Sequence, residues 1–132
     1  MNQMIYSISP KIGGGVLGEG SIDGYDWMII SYGTHPCAYV KLQNDHPYYG
    51  KDYDYMNIDV HGGITYAEMG YHCNIPGFPV KDGFWIGWDY NHFNDFNGLI
   101  NFKNTKMWTT EEIFDDVKSV IEQLKSIKEN ET

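Results

Sequence analysis

The 132-residue chain contains no arginine: all nine of its basic residues are lysines, against eighteen aspartates and glutamates. The formal net charge of −9 argues against a continuous basic surface, which binding to duplex nucleic acid or to an anionic membrane would require. The guanidinium group that commonly holds phosphate through two parallel hydrogen bonds is also missing. We therefore expect neither of those partners, and a small anionic ligand would depend on backbone N–H groups, a few lysines or a metal ion.

Long apolar segments and thiol motifs are scarce as well. No apolar run approaches the ~20 residues of a membrane-spanning helix, and the first residues lack the basic and apolar regions of a signal peptide. Cys37 and Cys73 form no C-x-x-C motif and are expected to be reduced, buried thiols, with a single disulfide as the alternative. These features predict a cytoplasmic protein.

Common catalytic motifs are missing too. The sequence holds no G-x-S-x-G, H-E-x-x-H or G-x-G-x-x-G motif, and the glycine triplet at 13–15 is not followed by the Lys-Ser/Thr pair of a P-loop. No common hydrolase or dehydrogenase template therefore fits the chain.

Aromatic residues and glycines are abundant instead, with four Trp, eleven Tyr, six Phe and fifteen Gly. This composition is typical of a sheet-rich fold, in which aromatic side chains pack on pleated surfaces and glycines serve turns. Strand-like runs at 25–32, 37–42, 64–68 and 84–90 predict an antiparallel-rich, twisted sheet of about four or five strands. The glycine-rich segment 1–20 is expected to be loose.

One helix is predicted near the C-terminal end, over residues 109–129. Thr109 can act as its N-cap, with Glu112 as the second member of a capping box. Apolar residues then recur at i, i+3, i+4 and i+7, as in a helix that buries one face. The sequence thus predicts a single α+β domain over 1–132, with this amphipathic helix packed on one face of the sheet.

The first candidate site is the stretch His61-Gly62-Gly63-Ile64-Thr65-Tyr66. The glycine pair predicts a bulge or a sharp bend, where φ can be positive and a ligand or another backbone can come close. The hydroxyl groups that follow could orient a bound oxygen or nitrogen. The alternative is a core histidine that is hydrogen-bonded to a main-chain carbonyl.

The second candidate is the spacing of Asp89, His92 and Asp95 at the end of a predicted strand. Loops at strand ends often carry binding groups. Imidazole and carboxylate together can bind a divalent ion, or form a base with its orienting partner. The alternative is a set of turn-forming acids beside a surface histidine.

The third candidate is the polar loop that begins at His46 and contains Tyr49 and Lys51. His46 precedes a proline, which favours an extended backbone at the histidine. Lys51 lies among tyrosines and acids and is the best single candidate to contact a ligand phosphate. An ordinary surface ion pair is the alternative for this lysine.

Four motifs in this order resemble a family of small, functionally uncharacterised proteins of bacteria, phages and prophages. They are H-P-x-A-Y-V (35–40), H-P-x-Y-G-K-D-Y-D (46–54), D-V-H-G-G-I-T-Y (59–66) and W-I-G-W-D-x-x-H-x-x-D (85–95). Members of this family commonly have Ala-Gly where this chain has Phe93-Asn94. The resemblance implies no reaction. It implies a phage context, in which small proteins often counter host defence by sequestering or cleaving nucleotide immune signals. If the chain is phage-encoded, the protein is expected in the host cytoplasm.

Two functions follow from these observations, and capture of a nucleotide-like small molecule is favoured. The proposed ligand-binding residues are His46, Tyr49, Lys51, His61, Gly62, Gly63, Thr65, Tyr66, Trp85, Asp89, His92 and Asp95. The alternative is a hydrolase of such a ligand, in which His61, Asp89 and His92 activate water. The sequence identifies no cofactor; a divalent metal on His61, Asp89, His92 and Asp95 is the candidate. A homo-oligomer is compatible with both functions.

Overall fold

The computed structural model describes residues 3–6, 15–31, 35–70, 82–90 and 108–130. The elements, in chain order, are the strands β1 (Gln3–Tyr6), β2 (Gly15–Ile22), β3 (Tyr25–Ser31), β4 (Pro36–Leu42), β5 (Tyr66–Met69) and β6 (Phe84–Asp89) and the helix α1 (Thr110–Asn130). A 3-10 turn, Tyr53–Tyr55, lies in the long connection between β4 and β5. Within the described ranges, no helix combines the length and the apolar character that crossing a membrane requires.

The strands form one antiparallel sheet in the order β1-β2-β3-β4-β6-β5. Helix α1 packs mainly against β2, β3 and β4. The predicted α+β fold, an antiparallel sheet with a C-terminal helix on one face, is therefore confirmed. Segment 1–20, which was expected to be loose, contributes β1 and most of β2. Glycines at 15, 18 and 20 interrupt the apolar pattern of β2, which is why this strand was not predicted.

Both faces of the sheet are apolar at its centre. Along β3, Trp27 and Ile29 pack on the side of the helix, whereas Met28 and Ile30 lie on the opposite side, and all four are buried. We call these two sides the helix face and the far face. The other buried residues of the far-face cluster are Cys37, Tyr39 and Trp85. Burial on both sides explains why the strand reads as a continuous apolar run.

Helix α1 begins with the predicted capping box. The backbone N–H of Glu112 donates to Thr109 Oγ1 (3.1 Å), and the backbone N–H of Thr109 donates to Glu112 Oε1 (3.0 Å). Two N–H groups at the start of the helix are thereby satisfied. The buried apolar side chains of the helix are Ile113, Val117, Val120, Ile121 and Leu124.

The connection between β4 and β5 follows the helix. Gln123 holds it through two hydrogen bonds of 2.8 Å, one accepted from the backbone N–H of Asp59 and one donated to the carbonyl oxygen of Asp59. The sequence predicted a strand over 64–68, and β5 begins at Tyr66. The main-chain groups of Asp59 bond to the helix instead of to a neighbouring strand.

Candidate functional site

His61 lies against two aromatic rings on the helix face. Its imidazole is stacked on the ring of Tyr90, with centroids 5.1 Å apart and planes within 7° of parallel, and the ring of Trp108 lies 4.7 Å away. Tyr90 and Trp108 also contact each other, at 4.9 Å. We call these three residues the His61 cluster. Because Tyr90 is fully buried while His61 and Trp108 are half-buried, the latter two form its accessible side.

The glycine pair after His61 has the sharp bend that the sequence predicted. Gly62 and Gly63 have φ values of 71° and 79°, in the left-handed region that favours glycine. The turn is closed by a hydrogen bond of 2.8 Å from Gly63 N to Val60 O. A side chain added at Gly63 would meet no heavy atom of the described residues within 4 Å of its Cβ. The backbone beside the imidazole is therefore open to approach.

The hydroxyl group of Tyr90 fixes the inner ring of the cluster. It accepts a hydrogen bond from Trp88 Nε1 (2.9 Å) and donates one to Asp116 Oδ2 of the helix (2.6 Å). Strand β6 and helix α1 are thus joined through one phenol oxygen. Since the Tyr90 ring is held at its edge, it presents a fixed plane to the imidazole of His61.

Asp89 does not share a face of the sheet with the His61 cluster. Side chains alternate along a strand, so Asp89 lies on the far face with Trp85 and Gly87, while Trp88 and Tyr90 lie on the helix face. The residue paired with Asp89 on β4 is Cys37, which also belongs to the far-face cluster. His61 and Asp89 were expected to converge on a single cavity, but this alternation places them on opposite faces of the sheet.

The remaining members of the proposed metal set, His92 and Asp95, lie outside the described residues. Among the residues that are described, no three His, Cys, Asp or Glu side chains come together in a group that could hold a metal ion.

His46 has a structural environment. Its side chain is buried, its Nε2 lies 2.9 Å from the carbonyl oxygen of Leu124, and its Nδ1 accepts a hydrogen bond of 2.9 Å from the backbone N–H of Tyr48. Burial lowers the pKa of His46 below the ordinary value of 6.5, since it removes water from the charged form. Both ring nitrogens bind the protein's own main chain, which argues against the predicted contact with a ligand.

Tyr49 and Lys51 differ in accessibility. Tyr49 packs its ring against the buried Phe84, with centroids 5.5 Å apart. Lys51 is exposed, and its Nζ lies 5.4 Å from the centre of the Tyr55 ring, which is itself 62% exposed. Lys51 is therefore accessible to solvent, whereas Tyr49 contributes to the edge of the core, and the ligand contacts predicted for both remain predictions.

Thr65, Tyr66 and Trp85 lie around β6. The backbone N–H of Thr65 donates to Gly87 O (2.9 Å), so this residue extends the pairing of β5. Tyr66 packs edge-on against Tyr39 at 5.4 Å, and Trp85 is buried in the same far-face cluster. The side chains of Tyr66 and Trp85 are separated by the sheet from the His61 cluster, so the predicted binding residues do not form one pocket in the described part of the chain.

A groove on the helix face was not predicted from the sequence. It has a volume of about 260 Å³ and lies between β3 and the first turns of α1. Its lining residues are Trp27, Ile29, Thr110, Glu111, Phe114, Asp115 and Lys118. The positions 111, 114, 115 and 118 follow helical spacing, and this mixed aromatic and charged stripe was the signal that could have indicated it.

Comparisons with known proteins add no relative. No family model matches the chain, and no match was found to a curated protein or to a solved structure.

Proposed function

We propose that this protein binds and sequesters a small nucleotide-like ligand, with His61 at the binding site. The observation that carries the proposal is the flat stacking of the His61 imidazole on Tyr90, beside the open backbone of Gly63. A planar base can extend such a stack of rings, and an adjacent glycine lets the ligand come close. The half-buried Trp108 supplies a second aromatic surface at the same place.

Among the described residues, the placement of Asp89 favours capture over hydrolysis. The hydrolase alternative requires a carboxylate beside His61 to orient the imidazole, and Asp89 was the proposed partner. That side chain lies on the far face of the sheet, whereas His61 contacts Tyr90 on the helix face. Asp116, which does approach the cluster, already accepts the hydrogen bond of the Tyr90 hydroxyl.

The nucleotide class rests on ring stacking and on charge. Aromatic and imidazole rings stack on any base, because every base has a π-face. The exposed Lys51 is the basic group proposed for a phosphate. If the motif resemblance reflects a phage origin, the ligand is a nucleotide immune signal of the host, and capture would serve counter-defence in the host cytoplasm.

Capture and hydrolysis can be separated by what the protein releases. We would incubate it with a panel of cyclic and linear nucleotides, remove unbound nucleotide by gel filtration, heat the protein and identify the released compounds by mass spectrometry. The proposal expects an intact nucleotide from the wild type and none from the His61→Ala variant. Altered nucleotides in the incubation would instead establish the hydrolase, and equal retention by both proteins would exclude His61 from the site.

A further inference from the structure

The loop of residues 47–57 is positioned by its side chains and not by strand pairing. Its main-chain hydrogen bonds among the described residues are short-range, each from an N–H group to the carbonyl oxygen three residues earlier. The donors are Tyr49, Lys51, Tyr55 and Met56, at distances of 3.0 to 3.1 Å. Bonds of this kind are kept when a loop separates from the body of a protein. The attachment of the loop to helix α1 therefore depends on side chains.

His46 and Tyr48 supply buried contacts at both ends of this loop. His46 Nε2 bonds to the carbonyl oxygen of Leu124 in α1 (2.9 Å), and the backbone N–H of Tyr48 donates to His46 Nδ1 (2.9 Å). The hydroxyl group of Tyr48 accepts a hydrogen bond of 3.0 Å from the backbone N–H of Asn57, at the other end of the loop. Both ends of the loop are thus connected to the helix through one imidazole ring.

A proton on Nδ1 of His46 is incompatible with this arrangement. Nδ1 accepts a hydrogen bond only while the imidazole is neutral, and in the imidazolium ion it becomes a second donor that faces the Tyr48 N–H group. Burial also lowers the pKa of His46, because it removes water from the charged form. His46 and Tyr48 are only 4% and 8% exposed. Protonation therefore requires the packing of the loop against the helix to open.

The charged and titratable neighbours of His46 keep their state in mild acid. From β3, the ring of Tyr25 lies edge-on to the imidazole at 6.3 Å, and burial raises the pKa of Tyr25. The ring of Tyr48 lies 5.6 Å away on the loop itself. Asp45 and Lys128 of the helix form an ion pair of 2.8 Å, which lowers the pKa of Asp45 and raises the pKa of Lys128. His46 is therefore the member of this group that titrates between about pH 7.5 and 5.

We propose that His46 is a pH-sensitive anchor, from which uptake of a proton in mild acid releases the 47–57 loop while the sheet stays folded. The neutral imidazole holds the loop on helix α1, and the imidazolium ion is formed in the released state, where water reaches it. Release changes the surface that carries the exposed Lys51 and Tyr55. The inference does not rest on the proposed function, because it requires no ligand and concerns His46 instead of His61.

Hydrogen exchange of the backbone amides tests this release. Exchange is followed by ¹⁵N NMR between about pH 7.5 and 5 and is corrected for the intrinsic rate at each pH. The amides of Tyr48 and Asn57 donate the two hydrogen bonds of the anchor, and the amides of β3 report unfolding of the sheet. Each series is repeated at low urea concentrations. Local release exposes little surface and responds weakly to urea, whereas global unfolding responds strongly.

We expect the Tyr48 and Asn57 amides to exchange through a weakly urea-dependent opening, more readily than the amides of β3. Their protection should fall by up to about 30-fold between pH 7.5 and 5. This factor follows if His46 has its ordinary pKa of 6.5 in the released loop and a lower pKa in the closed one.

Two variants that do not titrate at position 46 provide the controls. His46→Asn keeps a side-chain oxygen that can accept from the N–H group of Tyr48, two residues on, and its opening should not depend on pH. His46→Gln keeps a donor for the carbonyl oxygen of Leu124 and gives the same comparison if His46→Asn fails to fold. His61→Phe removes a different imidazole and should retain the full pH response.

Four results would overturn the inference. Equal protection and equal urea dependence of the loop and β3 amides would show that the loop separates only on global unfolding. Protection of Tyr48 that is constant with pH in the wild type would show that the closed loop accepts the imidazolium ion. A pH response that persists in both variants at position 46, or one that is lost in His61→Phe, would assign the response to another group. No nucleotide is present, so each of these failures leaves the capture experiment unaffected.

Discussion

His46 and Leu124, separated by 78 positions, are joined by a hydrogen bond of 2.9 Å between the imidazole Nε2 and the main-chain carbonyl oxygen. Because the backbone N–H of Tyr48 can only donate, Nδ1 of His46 must be the unprotonated nitrogen, and Nε2 carries the hydrogen. The imidazole is therefore neutral in the folded protein. It anchors the start of the β4–β5 connection to the C-terminal half of α1.

This neutral state predicts a loss of stability in mild acid. Burial lowers the pKa of His46 in the folded protein below 6.5, so the unfolded chain takes up the proton first as the pH falls. The contribution of His46 to the free energy of unfolding is complete above the unfolded pKa. It is lost as the pH falls from that value toward the lower pKa of the folded state. Urea unfolding at several pH values between about 7.5 and 5 measures this slope.

The His46→Gln variant provides the control for that slope. Glutamine does not titrate, so the difference in unfolding free energy between wild type and variant should shrink as the pH is lowered. Two charged neighbours act on His46, with Lys128 lowering its pKa and Asp45 raising it. A difference that stays constant across the pH range would show that His46 has the same pKa in both states.

The capping box of α1 predicts a second stability effect. Thr109→Ala removes the side-chain acceptor for the backbone N–H of Glu112 and should lower the free energy of unfolding by about 1 kcal/mol. Glu112→Gln keeps an oxygen that can accept from Thr109 N, so it should cost much less. Urea unfolding of the two variants checks this order. Equal losses would mean that the charge of Glu112 at the helix start matters more than the hydrogen bonds.

The contrast between this helix and the candidate site shows what a sequence can predict. Thr109, Glu112 and the apolar positions after them act within a few residues of one another, so their pattern indicated a helix over 109–129, close to the observed Thr110–Asn130. The position of His46 depended on Leu124, a partner far along the chain. Nothing near residue 46 distinguishes a histidine that binds a ligand from one that binds a distant carbonyl.

The separation of His61 and Asp89 has a different cause. A shift of one residue along a strand moves a side chain to the other face, so Asp89 and Tyr90 lie on opposite faces. The sequence located β6 correctly but did not indicate which of the two adjacent residues faces the helix. Trp88 and Tyr90 were therefore overlooked, although they form the hydrogen-bonded support of the His61 cluster.

The shared hydroxyl of Tyr90 predicts a third effect. Tyr90→Phe removes the acceptor of the buried Trp88 Nε1 and the donor to Asp116, and we expect it to lower the free energy of unfolding by about 2 kcal/mol. Asp116→Asn leaves the bond from Trp88 to Tyr90 in place and should cost less. Thermal and urea unfolding measure both. A Tyr90→Phe variant as stable as the wild type would show that the bond from Trp88 is readily replaced.

Two substitutions at His61 separate its structural contribution from its function. His61→Ala removes the ring stacked on Tyr90 and should lower the free energy of unfolding by about 1 kcal/mol, while His61→Phe preserves the stack and should leave stability almost unchanged. Nucleotide capture should respond differently. Phenylalanine lacks the ring nitrogens of histidine. The nucleotide affinity of the His61→Phe variant should therefore fall about three- to tenfold, as for the loss of one hydrogen bond to the ligand.

The comparison is decided by measuring stability and nucleotide retention on the same preparations. Retention should be lost in His61→Ala, weakened in the stable His61→Phe variant and unchanged in Glu122→Gln, whose exposed side chain pairs with Lys125 on α1. A His61→Ala protein with a large fall in melting temperature would support the structural interpretation of this histidine. A His61→Phe protein that retains nucleotide as well as the wild type would remove the ring nitrogens from the site and leave stacking alone to hold the ligand.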